Sequence, residues 1–138
     1  MGNYTTAQVL RTLKYGPPDL PSNPELEQKI VLLRKRDSRN FLEGDEHCRA
    51  YFDDKKVIFG TSKLAPGKRG DVDPGHPNSY EVFYVAKGTV ICRFEKSKLF
   101  MELEEEDAVL IPPGEPHQLI NVSEKEALVV WSQFPVQK

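Results

Sequence analysis

Short apolar runs that recur between turn signals dominate the chain after residue 45 and restrict its fold more than any other feature. The runs are CRAYF, VIFGTSKLA, YEVFYVA, TVICRF, LFMELE, AVLIP, HQLINV and ALVVWSQF, separated by segments rich in Gly, Pro and charged residues. Runs of this length and spacing are typical of strands in a sandwich or barrel. Because no helical period occurs in this part of the chain, we predict an all-β barrel.

The N-terminal part has a different character, and we interpret residues 1–44 as an arm that precedes a barrel at 45–138. Residues 5–14 place apolar side chains at helical spacing behind a threonine, which predicts a short helix. The segment 15–24 contains four prolines and is expected to be an extended linker. The run KIVLLRKR, residues 29–36, fits either a continuing helix or an edge strand, and we expect a short helix leading into a strand.

The composition suits one intracellular domain. The chain has 138 residues and a formal net charge of −2 with acidic and basic residues mixed, which does not favour nucleic acid or an anionic membrane as partner. No apolar run approaches the roughly 18 residues of a membrane span. No secretory signal precedes Cys48 or Cys92, so we expect a cytoplasmic protein with free thiols.

A carboxylate lies in the apolar strand YEVFYVA. Glu81 shares one face of this strand with Phe83 and Val85, because alternate strand residues point the same way. Both faces are largely apolar, so one is expected to line the interior and the other to meet a second sheet, the arm or a partner subunit. A buried carboxylate is costly unless it meets a cation, a metal or several donors. Tyr80 and Phe83 are candidates for lining the cavity.

Two of the three histidines lie, like Glu81, near the start of a predicted strand. His76 follows a Pro-Gly pair, and His117 follows the turn PPGEP. If these strand starts meet at the mouth of the barrel, two imidazoles and a carboxylate converge. Such a triad suits divalent Fe, Mn, Ni, Co or Zn and leaves positions open for water or substrate. The third histidine, His47, is expected at a surface turn.

Residues 45–134 resemble the cupins, small jelly-roll barrels with a double-stranded β-helix fold. The second conserved cupin segment, P-x-G-x-x-H-x-x-x-N, is matched at four positions: Pro112, Gly114, His117 and Asn121. Asn121 is expected to be structural, with its side chain bonded to the backbone of a neighbouring turn.

The first conserved cupin segment, H-x-H followed by Glu and then Gly, is matched in part. Glu81 and Gly88 have the separation found in the family. The residues HPNSYE resemble the second half of that segment, which makes His76 its second histidine. The first histidine would then fall at Pro74, which cannot bind a metal.

The resemblance therefore implies a divalent metal held by His76, Glu81 and His117, with the fourth ligand open. A slip of one residue would place Asp73 at the position of the missing histidine. A second register makes His76 the first histidine and Asn78 the second. Asp73, Asn78 or water could complete the site.

The cupin resemblance leaves the function open, because cupins include dioxygenases, isomerases, decarboxylases, lyases and sugar-binding regulators. One candidate is a metal-dependent oxygenase, isomerase or lyase that acts on a small carboxylate, carbonyl or sugar-like molecule. Another is a ligand sensor without chemistry. A third is an assembly module, because YEVFYVAKGTV and the tail that ends WSQF resemble the cupin dimerisation domain of centromeric proteins. All three imply a homodimer.

Overall fold

The computed structural model describes residues 30–53 and 56–136, and these residues form an all-β fold. The nine strands are β1 Arg39–Glu43, β2 Glu46–Asp53, β3 Ile58–Leu64, β4 Tyr80–Lys87, β5 Val90–Phe94, β6 Leu99–Leu103, β7 Ala108–Ile111, β8 His117–Ile120 and β9 Ala127–Phe134. The other regular element in this part of the chain is a 3-10 turn at Lys35–Asp37. The prediction of an all-β fold is confirmed. No helix of a length and apolar composition able to cross a membrane occurs among the described residues.

Two antiparallel sheets share one hydrophobic core. The larger sheet has the order β1-β2-β3-β9-β4-β7, and the smaller has the order β6-β5-β8. Burial alternates along the strands, as a period of two requires. Both sheets contribute side chains that are almost fully buried, among them Leu64, Val85, Val90, Cys92, Ile111, Leu119 and Val129. This two-layer arrangement is the predicted jelly roll.

The loop after β3 closes one side of the barrel. Its residues 69–73 run beside β8 and form backbone bridges to Ile120 and His117. On the other side, the backbone N–H of Asp71 donates to the carbonyl of Glu43 in β1. The loop therefore joins the smaller sheet to the first hairpin of the larger one.

The segment before β1 differs from the prediction. The helix expected within 29–36 is wrong for its described residues, which form no α-helix. Ile30 and Leu32 are exposed with respect to the described part of the chain, so a helix there would bury no apolar face against the barrel. The strand expected after this segment begins at Arg39, inside the predicted arm. The predicted helix at 5–14 and the proline-rich linker lie outside the described residues.

Asn121 connects two turns of the barrel and has the structural role predicted for it. The side chain is fully buried. Its Nδ2 donates to the carbonyls of Leu64 at 2.9 Å and Lys125 at 2.8 Å. Its Oδ1 accepts from the backbone N–H and the hydroxyl of Ser123. The turn after β8 is thereby attached to the end of β3.

We expect Asn121→Ala to lower the free energy of unfolding by about 2–4 kcal/mol, because buried carbonyls lose their donors. Urea denaturation of the metal-free protein measures this change. Asn78→Ala, at an exposed turn position, is the control and should change stability by less than about 0.5 kcal/mol. Equal stability of the two variants would contradict the role of Asn121.

Candidate metal centre

Separate elements bring Asp73, His76, Glu81 and His117 to one point inside the barrel. Glu81 is the second residue of β4, faces inward and is 5% exposed. His117 is the first residue of β8 and is 3% exposed. Asp73 and His76 lie in the loop between β3 and β4. Asp73 and His117 exchange two backbone hydrogen bonds, of 2.8 and 2.9 Å, which hold the loop against β8.

The oxygen and nitrogen atoms of these four side chains lie close together. Glu81 Oε1 is 2.9 Å from His117 Nε2 and 3.3 Å from His76 Nε2. Asp73 Oδ2 is 3.7 Å from His117 Nε2 and 3.9 Å from His76 Nε2. Ligands about 2.1 Å from one ion are about 3.0 Å apart at right angles and about 3.4 Å apart in a tetrahedron. The two contacts of Glu81 match these values, and those of Asp73 are slightly longer. Asp73, Glu81 and His117 each place one ligand atom within 4.8 Å of the others, and His76 lies at the edge of this group, with its ring centroid 6.3 Å from that of His117.

Two of these atoms are buried without a hydrogen-bond partner. They are His76 Nε2 and Glu81 Oε1. The contacts of Glu81 Oε1 with His76 Nε2 at 3.3 Å and with His117 Nε2 at 2.9 Å are ion-pair contacts without the geometry of a hydrogen bond. Buried polar atoms are almost always paired in folded proteins, so an unpaired one indicates an ion, a water or a ligand. The residues present fit a divalent cation bound at this point.

Contacts behind the centre orient two of its side chains. His117 Nδ1 lies 2.9 Å from the carbonyl of Glu115, to which it donates as the protonated nitrogen, so Nε2 is left to face Glu81. Asp73 Oδ1 accepts the backbone N–H of Gly75 at 2.8 Å, which leaves Oδ2 facing the histidines. Gly75 has a φ of 90°, and a Cβ there would lie 2.8 Å from the carbonyl oxygen of Glu115. Glycine at this position therefore lets the loop approach the turn before β8.

The charges of the centre favour a carboxylate beside positive imidazoles. Burial acts to lower the pKa of His117, but Glu81 and Asp73 outweigh it and raise that pKa to about 9. Contact with Glu81 also raises the pKa of His76. Burial acts to raise the pKa of Glu81, yet the two imidazoles lower it below its usual value. The ionised Glu81 attracts positive charge, which either protons or a metal ion can supply.

A family model for the cupin domain matches residues 60–132. The chain belongs to the cupin family. Solved cupin structures share its fold at low sequence identity. A Cupin 2 conserved barrel domain protein from Salinispora arenicola has 17% identity and a TM-score of 0.62, over 78% of this chain and 89% of the other. A predicted oxalate decarboxylase from Thermotoga maritima has 16% identity and a TM-score of 0.63, over 75% and 97%.

The CENP-C cupin domain of Drosophila melanogaster matches a larger share of the chain. It has 12% identity and a TM-score of 0.65, and the alignment covers 93% of this chain and 95% of the other. At such identities, these likenesses show the fold alone. No curated protein matches the chain at the sequence level.

The remaining residues predicted for the site of this cupin have different positions. Phe83 is buried beside the centre, and its ring meets that of His117 edge-on at 5.4 Å. Asn78 is exposed in the turn before β4, whereas Asp73 Oδ2 lies 3.7 Å from His117 Nε2. The prediction that Tyr80 lines the cavity is wrong. Tyr80 alternates with the inward Glu81, is 41% exposed and stacks on Phe134 on the outer face.

The sequence interpretation missed a second cluster, formed by the half-buried Glu43 and the buried Glu46 and Cys48. One oxygen or sulfur atom from each lies within 4.8 Å of the others. The signal was present in FLEGDEHC, because two glutamates that flank a two-residue turn are paired across a hairpin and point to the same side. His47 lies in β2 instead of a turn, and its Nε2 is 2.7 Å from Asn40 Oδ1.

The two glutamates of this cluster retain protons at a higher pH than ordinary carboxyl groups. Burial and the charge of Asp73 raise the pKa of Glu43 from 4.5 to about 7. Burial and the charge of Glu43 raise the pKa of Glu46 from 4.5 to about 8. The folded protein thus binds these protons more tightly than the unfolded chain, and its stability falls as the pH rises from the unfolded value through the folded ones.

We expect the free energy of unfolding of the metal-free protein to fall between about pH 5 and about pH 9. The double variant Glu43→Gln/Glu46→Gln should flatten this fall and be more stable than wild type at the alkaline end. Urea denaturation at a series of pH values measures the profile. The control Glu104→Gln/Glu124→Gln removes two exposed carboxyl groups and should keep the wild-type profile. The raised pKa values of His117 and His76 also make stability fall over this range, so part of the fall should remain in the double variant. A fall as steep as that of wild type would contradict the assignment.

Proposed function

We propose that this cupin binds a divalent transition metal through Asp73, His76, Glu81 and His117, and that the metal holds a small organic ligand inside the barrel. The observation that supports the proposal is the buried pair Glu81 Oε1 and His76 Nε2, which lie 3.3 Å apart and have no hydrogen-bond partner. Two imidazoles and two carboxylates suit Fe, Mn, Ni, Co or Zn, and four protein ligands leave positions free on a six-coordinate ion.

The bound metal would polarise a carbonyl or carboxylate of the ligand. The protein residues keep the ligand set in place: the carbonyl of Glu115 orients His117, and Phe83 packs against its ring. An isomerase, lyase or oxygenase reaction is the activity class that such a centre supports. A ligand sensor without chemistry uses the same centre, and turnover of a bound ligand distinguishes the two.

Metal uptake tests the proposal directly. We expect the purified wild-type chain to bind about one Co²⁺, measured by titration calorimetry and visible absorption. Glu81→Gln keeps the shape of the side chain but removes its charge, so it should weaken Co²⁺ binding by more than about 100-fold. His47→Gln changes a histidine on the outer side of β2 and is the control, with wild-type affinity expected. Equal Co²⁺ affinities of the Glu81→Gln and His47→Gln variants would contradict the proposed metal centre.

The outer face of the larger sheet favours a second role, assembly as a homodimer. Strand register places Tyr80 beside Phe134 and Val82 beside Leu110, so the apolar side chains are continuous across β9, β4 and β7. Leu110 is 55% exposed, and Tyr80 and Phe134 stack with ring centroids 6.2 Å apart. Exposed apolar patches mark interaction sites, and a symmetric pair of copies covers the same patch on each chain. We propose that this face is the dimer interface.

We expect wild-type protein to be a dimer of 15.7 kDa chains and Tyr84→Lys/Leu110→Lys to be a monomer, because lysine charges cannot be buried in an apolar interface. Light scattering at low micromolar concentration measures the mass. Phe100→Lys, at an exposed position of the smaller sheet, is the control and should remain dimeric. A wild-type monomer would overturn this assignment without affecting the metal centre.

A further inference from the structure

Glu115 lies in the turn before β8 and has a buried side chain that the proposed set of metal ligands does not use. The turn PPGEP, residues 112–116, leads directly into His117. Glutamates in turns are normally exposed, but Glu115 is only 4% exposed. A buried carboxylate needs hydrogen-bond donors or positive charge around it, so the groups that surround Glu115 indicate what its side chain does.

The hydrogen-bond donors to Glu115 come from the turn between β5 and β6. Oε2 of Glu115 accepts the backbone N–H of Lys96 at 2.9 Å and that of Ser97 at 3.3 Å. Oε1 accepts the hydroxyl of Ser97. Hydrogen bonds to a carboxylate are stronger than those between neutral groups. Three of them together hold Glu115 against the β5–β6 turn.

These bonds continue the pairing of β5 with β8 beyond the start of β8. Phe94 lies opposite His117 in the last pair of the ladder. The backbone N–H of Glu95 then donates to the carbonyl of Pro116 at 3.3 Å. The backbone carbonyl of Glu115 is directed at the ring of His117 instead, so the next N–H groups of the β5–β6 turn have the Glu115 carboxylate as their acceptor. The side chain therefore takes the place of a backbone carbonyl.

The backbone of Glu115 faces the segments that carry both histidines of the metal centre. Its carbonyl accepts the hydrogen bond of His117 Nδ1 at 2.9 Å. A Cβ on Gly75, the residue before His76, would lie 2.8 Å from the carbonyl oxygen and 3.0 Å from the carbonyl carbon of Glu115. The backbone N–H of Gly114 donates to the carbonyl of His76 at 2.9 Å. A displacement of Glu115 would therefore affect both imidazoles.

We propose that Glu115 is a positioning residue of the metal centre, whose side chain fixes the carbonyl that orients His117. The inference rests on the metal centre proposed above and adds a residue outside its ligand set. A metal-binding histidine is usually oriented by a group that accepts the hydrogen of its other ring nitrogen. That acceptor is here a backbone carbonyl, so its position depends on what holds the turn. The role requires the length of the Glu115 side chain and its acceptor oxygens, and it does not require a charge near the metal.

Two conservative substitutions separate the length of this side chain from its charge. Glu115→Gln keeps the length: its amide oxygen can accept the two backbone N–H groups, and its NH₂ group can donate to Ser97 Oγ. Glu115→Asp keeps the charge but is one methylene shorter, so its carboxylate should not reach the β5–β6 turn. We therefore expect Glu115→Gln to resemble wild type and Glu115→Asp to resemble Glu115→Ala.

The orientation of His117 is measured by NMR on the metal-free chain labelled with ¹⁵N-histidine. The Nδ1 proton of His117, identified by its loss in His117→Gln, should exchange with water at least about tenfold faster in Glu115→Ala and Glu115→Asp, because its acceptor is no longer fixed. Titration calorimetry should show a Co²⁺ affinity at least about tenfold weaker in the same two variants. Glu115→Gln should stay within about threefold of wild type in both measurements.

Asn121→Ala is the control for lost stability, because it removes buried hydrogen bonds beyond the other end of β8. It should keep the wild-type exchange rate and Co²⁺ affinity, as should Glu95→Gln, which removes an exposed charge from the β5–β6 turn.

The outcomes distinguish this inference from the metal centre itself. A wild-type chain that takes up no Co²⁺ overturns both together. Three results with normal wild-type uptake overturn the inference alone: an unchanged affinity in Glu115→Ala, an equal loss of affinity in Asn121→Ala, or a loss in Glu115→Gln that Glu115→Asp does not share.

Discussion

An ionised carboxylate buried in a barrel wall requires positive charge beside it, and this requirement organises the interior of the protein. Glu81 is almost fully buried, and its pKa is held below the usual value only because two imidazoles outweigh the effect of burial. Those imidazoles come from other parts of the chain, so the loop before β4 and the start of β8 must both be held close to Glu81. The backbone bridge between Asp73 and His117 meets this requirement.

The sequence was sufficient for the fold and for three of the four side chains that the structure brings together, while their role as metal ligands stays a prediction. Apolar runs between turn signals predicted the strands. His76, Glu81 and His117 were identified because they are polar residues near the starts of apolar strands. Asp73 could be suggested only through a shifted register, because its position depends on backbone pairing with β8 more than forty residues along the chain. For Tyr80, both faces of β4 are apolar, so the pattern alone did not identify the exposed side.

Glu43 and Glu46 show a different limit of sequence interpretation. Their pairing across a two-residue turn could be predicted from the sequence. The burial of Glu46 and the partial burial of Glu43 could not, because a hairpin with glutamates at its tip normally faces solvent. Burial results from the loop that packs against the hairpin, and Gly44 and Gly70 permit that contact. A glycine in a sequence is compatible with close approach of another group to its backbone, but the sequence does not identify that group.

Negative charge in the interior lowers the stability of the metal-free protein, and the same charge would attract a cation. Without a metal, the folded chain holds Asp73 and Glu81 beside two histidines and Glu43 and Glu46 in a second acidic cluster, and raising the pH adds negative charge that the unfolded chain can disperse. That accumulating charge also strengthens the attraction for a divalent ion, while deprotonation frees the histidine nitrogens to bind it. Replacing the acids with apolar residues would stabilise the metal-free barrel and, under the proposed function, weaken its affinity for the cation. The proposed function therefore explains why the chain keeps acids that lower its stability.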